Sequence, residues 1–178
     1  IYWEAEQYIP APLETMTLDW SVLRTPKNND PAGKMQVLLV AAPNQLIKRY
    51  TTILELAGLS VAGIETEVLS VVRSVILDEH FPTTLIMNIG ALSTSLSIVQ
   101  NGIIVFTYII TLGGIALTRA IAADFGFSLP QAEEYKKLYG LSDKTFGGKI
   151  STALRPVLSS MVAEVKKAIT FYSDRYKN

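Results

Sequence analysis

The sequence predicts a mixed α/β chain of the α+β kind, and three patterns carry that expectation. Residues 85–106 read as an apolar strand, a tight turn at Gly90, a strand of alternating residues, a turn at Asn101-Gly102 and a third strand. Residues 18–64 place strand-like runs around a segment of helical period, and residues 154–172 hold one apolar stripe with the 3.6-residue repeat. Strands in succession with helices flanking them mark a sandwich of sheet and helix layers.

In chain order, residues 4–9 form the end of a helix closed by Pro10 and Pro12, because proline supplies no N–H. Residues 18–23 alternate as a strand, and residues 25–33 are a polar, proline-bearing turn expected to be mobile. Residues 35–42 are a continuous apolar strand, expected to be buried on both faces. Asn44 stands where a helix cap belongs. Behind it Leu46, Ile47, Tyr50, Ile53, Leu54 and Ala57 follow the helical period until Gly58. Residues 59–64 return as a strand, and residues 67–77 form a helix that buries Leu69, Val72, Val75 and Ile76.

After His80-Phe81-Pro82 a new unit begins with the three strands around Gly90 and Asn101-Gly102. Asn-Gly between alternating runs is a strong hairpin signal, since both residues tolerate positive φ. Gly113-Gly114 ends the third strand, residues 115–125 form a helix, and Ser128 caps another that stops at Gly140. Residues 141–149 are polar loop. The last helix carries Leu154, Val157, Leu158, Met161, Val162, Val165, Ala168, Ile169 and Tyr172 on its apolar stripe.

The totals narrow the function classes. An apolar fraction of 49% suffices for a packed core across 178 residues, whereas a charged fraction of 18% is low for a fully solvated surface. Part of the apolar surface is therefore expected to lie against something outside this chain. Sixteen positive and sixteen negative side chains balance, so no basic field invites nucleic acid. With no cysteine, disulfides, thiolate catalysis and cysteine zinc sites are excluded. The longest nearly uncharged run, residues 103–117, contains Gly113-Gly114 and falls short of the roughly 20 residues a membrane span needs. No signal peptide is evident, and Ile1 at the start points to a piece of something longer or a processed product.

Few residues offer chemistry. His80 is the single histidine and reads as a solvated loop residue. The serines lack a G-x-S-x-G elbow. Lys166, Lys167 and Arg175 read as solvated charge on the last helix. Two features go further. The turn from Asn88 through Gly90, Ala91, Leu92, Ser93 and Thr94 can bring bare backbone N–H groups and hydroxyls against an anion, with an ordinary polar hairpin as the plain alternative. Glu133 with Lys136 and Lys137 is either a helical ion pair or a clamp on a ribose and a purine edge.

Taken together, these residues resemble a known family. Asn88-Ile89-Gly90 with Ser93-Thr94 is followed by Asn101-Gly102, by Leu112-Gly113-Gly114-x-x-Leu117-Thr118 and by Ala132-Glu133-x-x-Lys136. That order resembles the second half of the actin-like ATPases and, within them, the PilM family of type IV pilus assembly proteins, relatives of the division protein FtsA. Glu4-Ala5-Glu6-Gln7-Tyr8-Ile9-Pro10, Leu38-Leu39-Val40-Ala41-Ala42-Pro43 and Leu54-Glu55-Leu56-Ala57-Gly58-Leu59 carry the likeness through the first third.

The resemblance implies a partial actin-like (ribonuclease H-like) fold. Residues 1–66 would be most of an inserted small α+β subdomain, residues 67–82 a helix and linker returning to the first lobe, and residues 83–178 an incomplete second lobe. It also implies ATP with Mg²⁺ as the cofactor, held by the second phosphate loop at Asn88, Gly90, Ala91, Leu92, Ser93 and Thr94, by Gly113 and Gly114, and by Glu133, Lys136 and Lys137 of the adenosine-binding helix. That assignment requires the bend after Met87 and the Glu133–Lys136 pair to meet at one hollow. The family usually has aspartate where this chain has Asn88. Aspartate there is implied to hold Mg²⁺-bound water; asparagine keeps the shape and drops the charge, so hydrolysis is expected to be weak or lacking. The family's first phosphate loop and later adenosine loop are not in this sequence.

The function implied is a cytoplasmic scaffold, peripheral to the inner membrane, in the type IV pilus assembly platform. It would bind ATP as a structural ligand, the cytoplasmic tail of a PilN-like inner-membrane protein and other platform proteins, and would self-associate through bare lobe faces. One alternative is an actin-like ATPase or small-molecule phosphotransferase with real turnover. Its acids near the site would be Glu133, Glu134 and Asp124, none of them on the turn. Another is a nucleotide-free structural relative in a secretion platform.

Overall fold

In the computed structural model, which describes residues 2–25, 34–76 and 81–176, the chain divides into two units, Ile1–Thr66 and Glu67–Asn178. Most of the turn expected at residues 25–33, the helix end expected at Leu77, and His80 lie outside the described residues.

The first unit holds helix α1 (Tyr2–Ala5), a 3-10 turn (Leu13–Thr15), strands β1 (Met16–Arg24) and β2 (Gln36–Pro43), and helix α2 (Asn44–Leu56). α1 stops short of the helix end expected at residues 4–9. The Ala5 carbonyl accepts from Tyr8 and Ile9 and the Glu4 carbonyl from Gln7, so the chain tightens ahead of Pro10. β1 and β2 pair antiparallel, with Met16 opposite Pro43 and Val22 opposite Val37. Among the described residues this sheet has two strands, so β2 is half-buried along its length and not enclosed on both faces. Residues 59–64 form no strand, contrary to expectation. β1 and β2 pair with one another while Leu59 and Ile64 stay exposed, and an apolar run without a ladder partner has nothing to hold it extended.

Asn44 does not cap α2 either; Pro43 takes that position. The Asn44 side chain accepts from the Thr17 hydroxyl at 2.7 Å and donates to the Glu14 carbonyl at 3.1 Å, strapping the helix start to β1 and the 3-10 turn. The helical period of α2 is as expected, yet Leu46, Tyr50, Ile53 and Leu54 are exposed. Periodicity marks which face is apolar and leaves open what covers it.

The second unit holds α3 (Glu67–Val75), β3 (Thr84–Ile89), β4 (Thr94–Gln100), β5 (Ile103–Ile110), α4 (Gly114–Phe125), α5 (Leu129–Tyr139) and α6 (Lys149–Tyr176), with a 3-10 turn (Phe146–Gly148) before α6. β3, β4 and β5 form an antiparallel meander in chain order. Asn101 at φ 52° and Gly102 at φ 74° make its second turn, the paired positive values that match the twist of a hairpin. Ser128 caps α5 in a capping box with Gln131, and Gly140 ends it.

Register sorts the side chains of the meander onto its two sides, and β4 is buried on both, with Leu96 and Ile98 on one and Ser97 and Val99 on the other. Met87 lies opposite Leu96, and Leu96 opposite Tyr108, so all three share one side. On that side Leu96, Ile110 and Ala168 are buried together, with Phe106, Leu112 and Val165 against them. α6 thus covers β4 and β5, while Met87 and Ile89 of β3 remain exposed. A second core joins α4, α5 and α6 through Ile121, Ala132, Ile150 and Leu154. Five rings, Phe125, Phe127, Tyr135, Tyr139 and Phe146, edge it with centroids 4.7 to 6.1 Å apart. The stretch read as polar loop therefore carries an aromatic anchor, Phe146.

Two further expectations change. In α3 the buried residue is Val72, and Val75 is exposed. The α6 stripe splits, with Leu154, Met161 and Ala168 buried at every seventh residue and Val162 and Ile169 exposed. Lys167 is solvent-exposed charge on α6, as expected, and it pairs with Glu164 at 2.6 Å, which also accepts the Tyr108 hydroxyl at 2.7 Å.

Candidate functional site

The site is built where the end of β3, the start of α4 and the middle of α5 meet. Leaving β3, the chain turns at Gly90, whose N–H donates to the Ser93 carbonyl at 2.9 Å. The Gly90 and Ala91 carbonyls accept from the Gly114 and Ile115 N–H groups, each at 2.9 Å. Two of the four N–H groups a helix start leaves unpaired are thus taken by the turn itself. β5 ends at Ile110 and Gly113 caps α4, so the glycine pair belongs to the helix start and not to the strand.

Gly113 is where contact is tightest. A Cβ there would lie 2.6 Å from the Gly90 carbonyl oxygen and 2.7 Å from both the Ala91 oxygen and the Ser93 nitrogen. Its φ of −143° is ordinary extended backbone, so the demand for glycine is one of space. Ala91, Leu92 and Ser93 form the exposed rim of the turn. Thr94 points inward: it is buried, and its hydroxyl donates to the Leu112 carbonyl at 2.8 Å.

Glu133 and Lys136 approach the turn from α5. Lys136 Nζ lies 2.6 Å from Glu133 Oε2, 2.8 Å from Thr118 Oγ1 and 3.1 Å from the Gly114 carbonyl. Its three donors match three acceptors. Lys137, with its side chain 72% exposed, sits 3.5 Å from Glu133 Oε1. The structure brings the Gly90 turn and the Glu133–Lys136 pair together through one residue, Gly114. Lys136 holds the carbonyl of Gly114, and the N–H of the same peptide group, on Ile115, holds Ala91.

The Lys136 ammonium and the Thr118 hydroxyl, helped by the charges of Lys136 and Lys137, hold the Glu133 carboxyl down from its ordinary 4.5 to about 2. A pKa depressed in the folded state means the pair stabilises the fold above the unfolded value and loses that contribution as pH falls. Glu133→Gln is accordingly expected to flatten the loss of stability between pH 4.5 and about 2, as read by urea unfolding at stepped pH. An unchanged acid limb counts against the pairing.

Two residues with a part in the site carried no role in the sequence reading. Thr118 is buried and joins α4 to α5. Glu67, at the start of α3, accepts a hydrogen bond from the Asn88 side-chain amide at 2.5 Å. A carboxylate 21 residues away thus stands against the position where the turn lacks an acid. Among the described residues no group of three or more histidine, aspartate or glutamate side chains is gathered as for a metal ion, and no helix is long and apolar enough to cross a membrane.

The family described as type IV pilus assembly protein PilM matches residues 1–178. A chain of the solved PilM-PilN type IV pilus biogenesis complex matches with a TM-score of 0.77 and 30% sequence identity, covering 98% of this chain and 50% of that one. The present chain thus spans half the length of that protein. The ethanolamine utilization protein EutJ from Carboxydothermus hydrogenoformans matches with a TM-score of 0.45 and 27% identity, over 51% of this chain and 32% of that one.

Proposed function

Because the chain belongs to the PilM family of type IV pilus assembly proteins, we propose that it serves as a scaffold of the pilus assembly platform that takes the tail of a PilN-like inner-membrane protein and uses ATP as a structural ligand. The observation that carries this reading is the match over all 178 residues, joined to a fold shared with a protein solved in complex with PilN. The partial actin-like fold is that of the family. A cytoplasmic position beside the inner membrane, further platform partners and self-association through the exposed apolar faces of α2, β3 and α6 belong to the same proposal.

The nucleotide part draws on the geometry at Gly114. An anion at the Gly90 turn would meet the rim of Ala91, Leu92 and Ser93, while Lys137 is free to swing toward a ligand. Lys136 and Thr94 already spend their donors inside the fold, so they shape the site more than they reach from it. ATP bound here supplies the charge that draws the surrounding elements into one arrangement, a shift in population and not a chemical step.

Titrating the protein with a synthetic peptide of a PilN-like cytoplasmic tail tests the partner, and saturable binding is expected. Absence of saturation at high peptide concentration overturns the scaffold reading. For the ligand, the unfolding temperature is expected to climb with Mg·ATP concentration, as the fold gains about 2.7 kcal/mol of stability at a hundred times the dissociation constant. A temperature indifferent to Mg·ATP favours a nucleotide-free structural role.

One observation favours a second reading, an ATPase with turnover: the Glu67 carboxylate held against Asn88. It would supply the negative charge that the turn lacks for a hydrated Mg²⁺. Phosphate release at about 1 s⁻¹ or faster, abolished by Glu67→Gln, would put this reading first.

A further inference from the structure

We propose that Thr118 is a positioning residue that ties the Glu133–Lys136 pair to the Gly90 turn, so that the two ends of a bound nucleotide are held cooperatively. The inference rests on the nucleotide reading above and adds to it the element that couples the site's two halves.

The hydroxyl of Thr118 carries one proton and has two acceptors within reach, Glu133 Oε2 at 2.5 Å and the Gly114 carbonyl at 3.1 Å. The shorter contact goes to a charged oxygen and holds the proton, while Lys136 Nζ donates to the same hydroxyl at 2.8 Å. Thr118 is 5% exposed, so water is poorly placed to replace either bond. The charged groups facing it come from α5, Glu133 and Lys136, with Lys137 on the far oxygen of Glu133.

Engagement of Glu133 Oε1 by a ligand hydroxyl leaves this arrangement in place, because Thr118 and Lys136 hold the other oxygen, Oε2, and so present the carboxylate already oriented. Lys136 and, at longer range, the Thr118 hydroxyl also meet the Gly114 carbonyl. That carbonyl shares its peptide group with the Ile115 N–H, which holds the Ala91 carbonyl of the turn at 2.9 Å. A stronger bond on one side of a peptide group polarises it and strengthens the bond on the other. No atom leaves and no covalent bond changes; one hydroxyl holds the carboxylate in the orientation the ligand meets.

The test compares Thr118→Val, which keeps the shape and removes the hydroxyl, with Thr118→Ser, which keeps the hydroxyl. Thr118→Val is expected to weaken Mg·ATP binding about tenfold, the loss of a hydrogen bond to a charged group, with Thr118→Ser within about twofold of the parent. Carboxyl-resolved NMR without nucleotide should show the Glu133 titration moved up in Thr118→Val and restored in Thr118→Ser, with the Ile115 amide shifted in the valine variant. A parent protein that never saturates with Mg·ATP overturns the nucleotide reading and, with it, the cooperative role. A parent that binds while Thr118→Val binds equally well overturns the role of Thr118 alone, as does a Glu133 titration unmoved by the valine. Should Thr118→Val fail to fold, Glu133→Gln breaks the same tie from α5, and an unchanged Ile115 amide in that variant overturns the proposal.

Discussion

Gly113→Ala is expected to lower the unfolding free energy of the second unit by about 3 kcal/mol, the largest effect of any single methyl group at the site. The new Cβ would stand 2.6 to 2.7 Å from two carbonyl oxygens and a backbone nitrogen of the Gly90 turn. All three are main-chain atoms, fixed in place by the bonds that bind the turn to α4, so no side chain can rotate aside to make room. Relief requires the turn and the helix start to separate, which costs the Gly114–Gly90 and Ile115–Ala91 hydrogen bonds. Gly114→Ala is the natural control. Its Cβ would meet Lys136 Nζ at 3.5 Å, an ordinary contact, and alanine in the first turn of a helix gains up to about 1 kcal/mol over glycine. Urea unfolding should show the midpoint falling for Gly113→Ala and holding or rising for Gly114→Ala. Equal behaviour of the two would mean that the turn does not press on α4 as described.

The contrast between these neighbours shows what could be read from the chain and what could not. Wherever a local chemical requirement decides the backbone, reading and structure agree. Asn101-Gly102 gives the turn with two positive φ values, Ser128 starts α5 and Gly140 stops it. Residues 59–64 went wrong for the opposite reason, since an apolar run cannot supply a strand with a partner. Asn44 failed in a related way: a competing donor on Thr17 and acceptor on Glu14 captured its side chain. The candidate site was half visible. Gly90, Gly113, Glu133 and Lys136 stood out by residue type and order, and the structure brings them together at Gly114. Thr118 stood in the quoted run of residues 112–118 without a role, and Glu67 stayed hidden, because their partners lie 15 and 21 residues away. A small hydroxyl one helical turn beyond Gly114, on a helix otherwise apolar in its first half, is the faint signal that could have marked Thr118.

Lys136 and Lys137 are adjacent and carry the same charge, yet their replacement is expected to differ widely. Lys136→Met keeps the apolar length of the side chain and removes three donors at once. Glu133 loses the nearest of its two cations, Thr118 loses the donor to its oxygen, and the Gly114 carbonyl loses the bond that Lys136 makes to it. With the Lys136 side chain only 20% exposed, solvent restores these bonds in part, and the net loss is expected to be about 2 kcal/mol. Lys137→Met removes one contact of 3.5 Å from a side chain 72% exposed, and exposed pairs contribute at most a few tenths of a kcal/mol. The ranking should reverse for a ligand. Lys137 holds nothing else in place and can turn toward a phosphate or a purine edge, so Lys137→Met is expected to weaken Mg·ATP binding with the fold intact. Lys136→Met should lower the unfolding midpoint even with no nucleotide present. Finding both lysines neutral in stability would mean that Lys136 does not hold α5 to the Gly90 turn, and would leave that tie to the Thr118 hydroxyl, which meets both Glu133 and the Gly114 carbonyl.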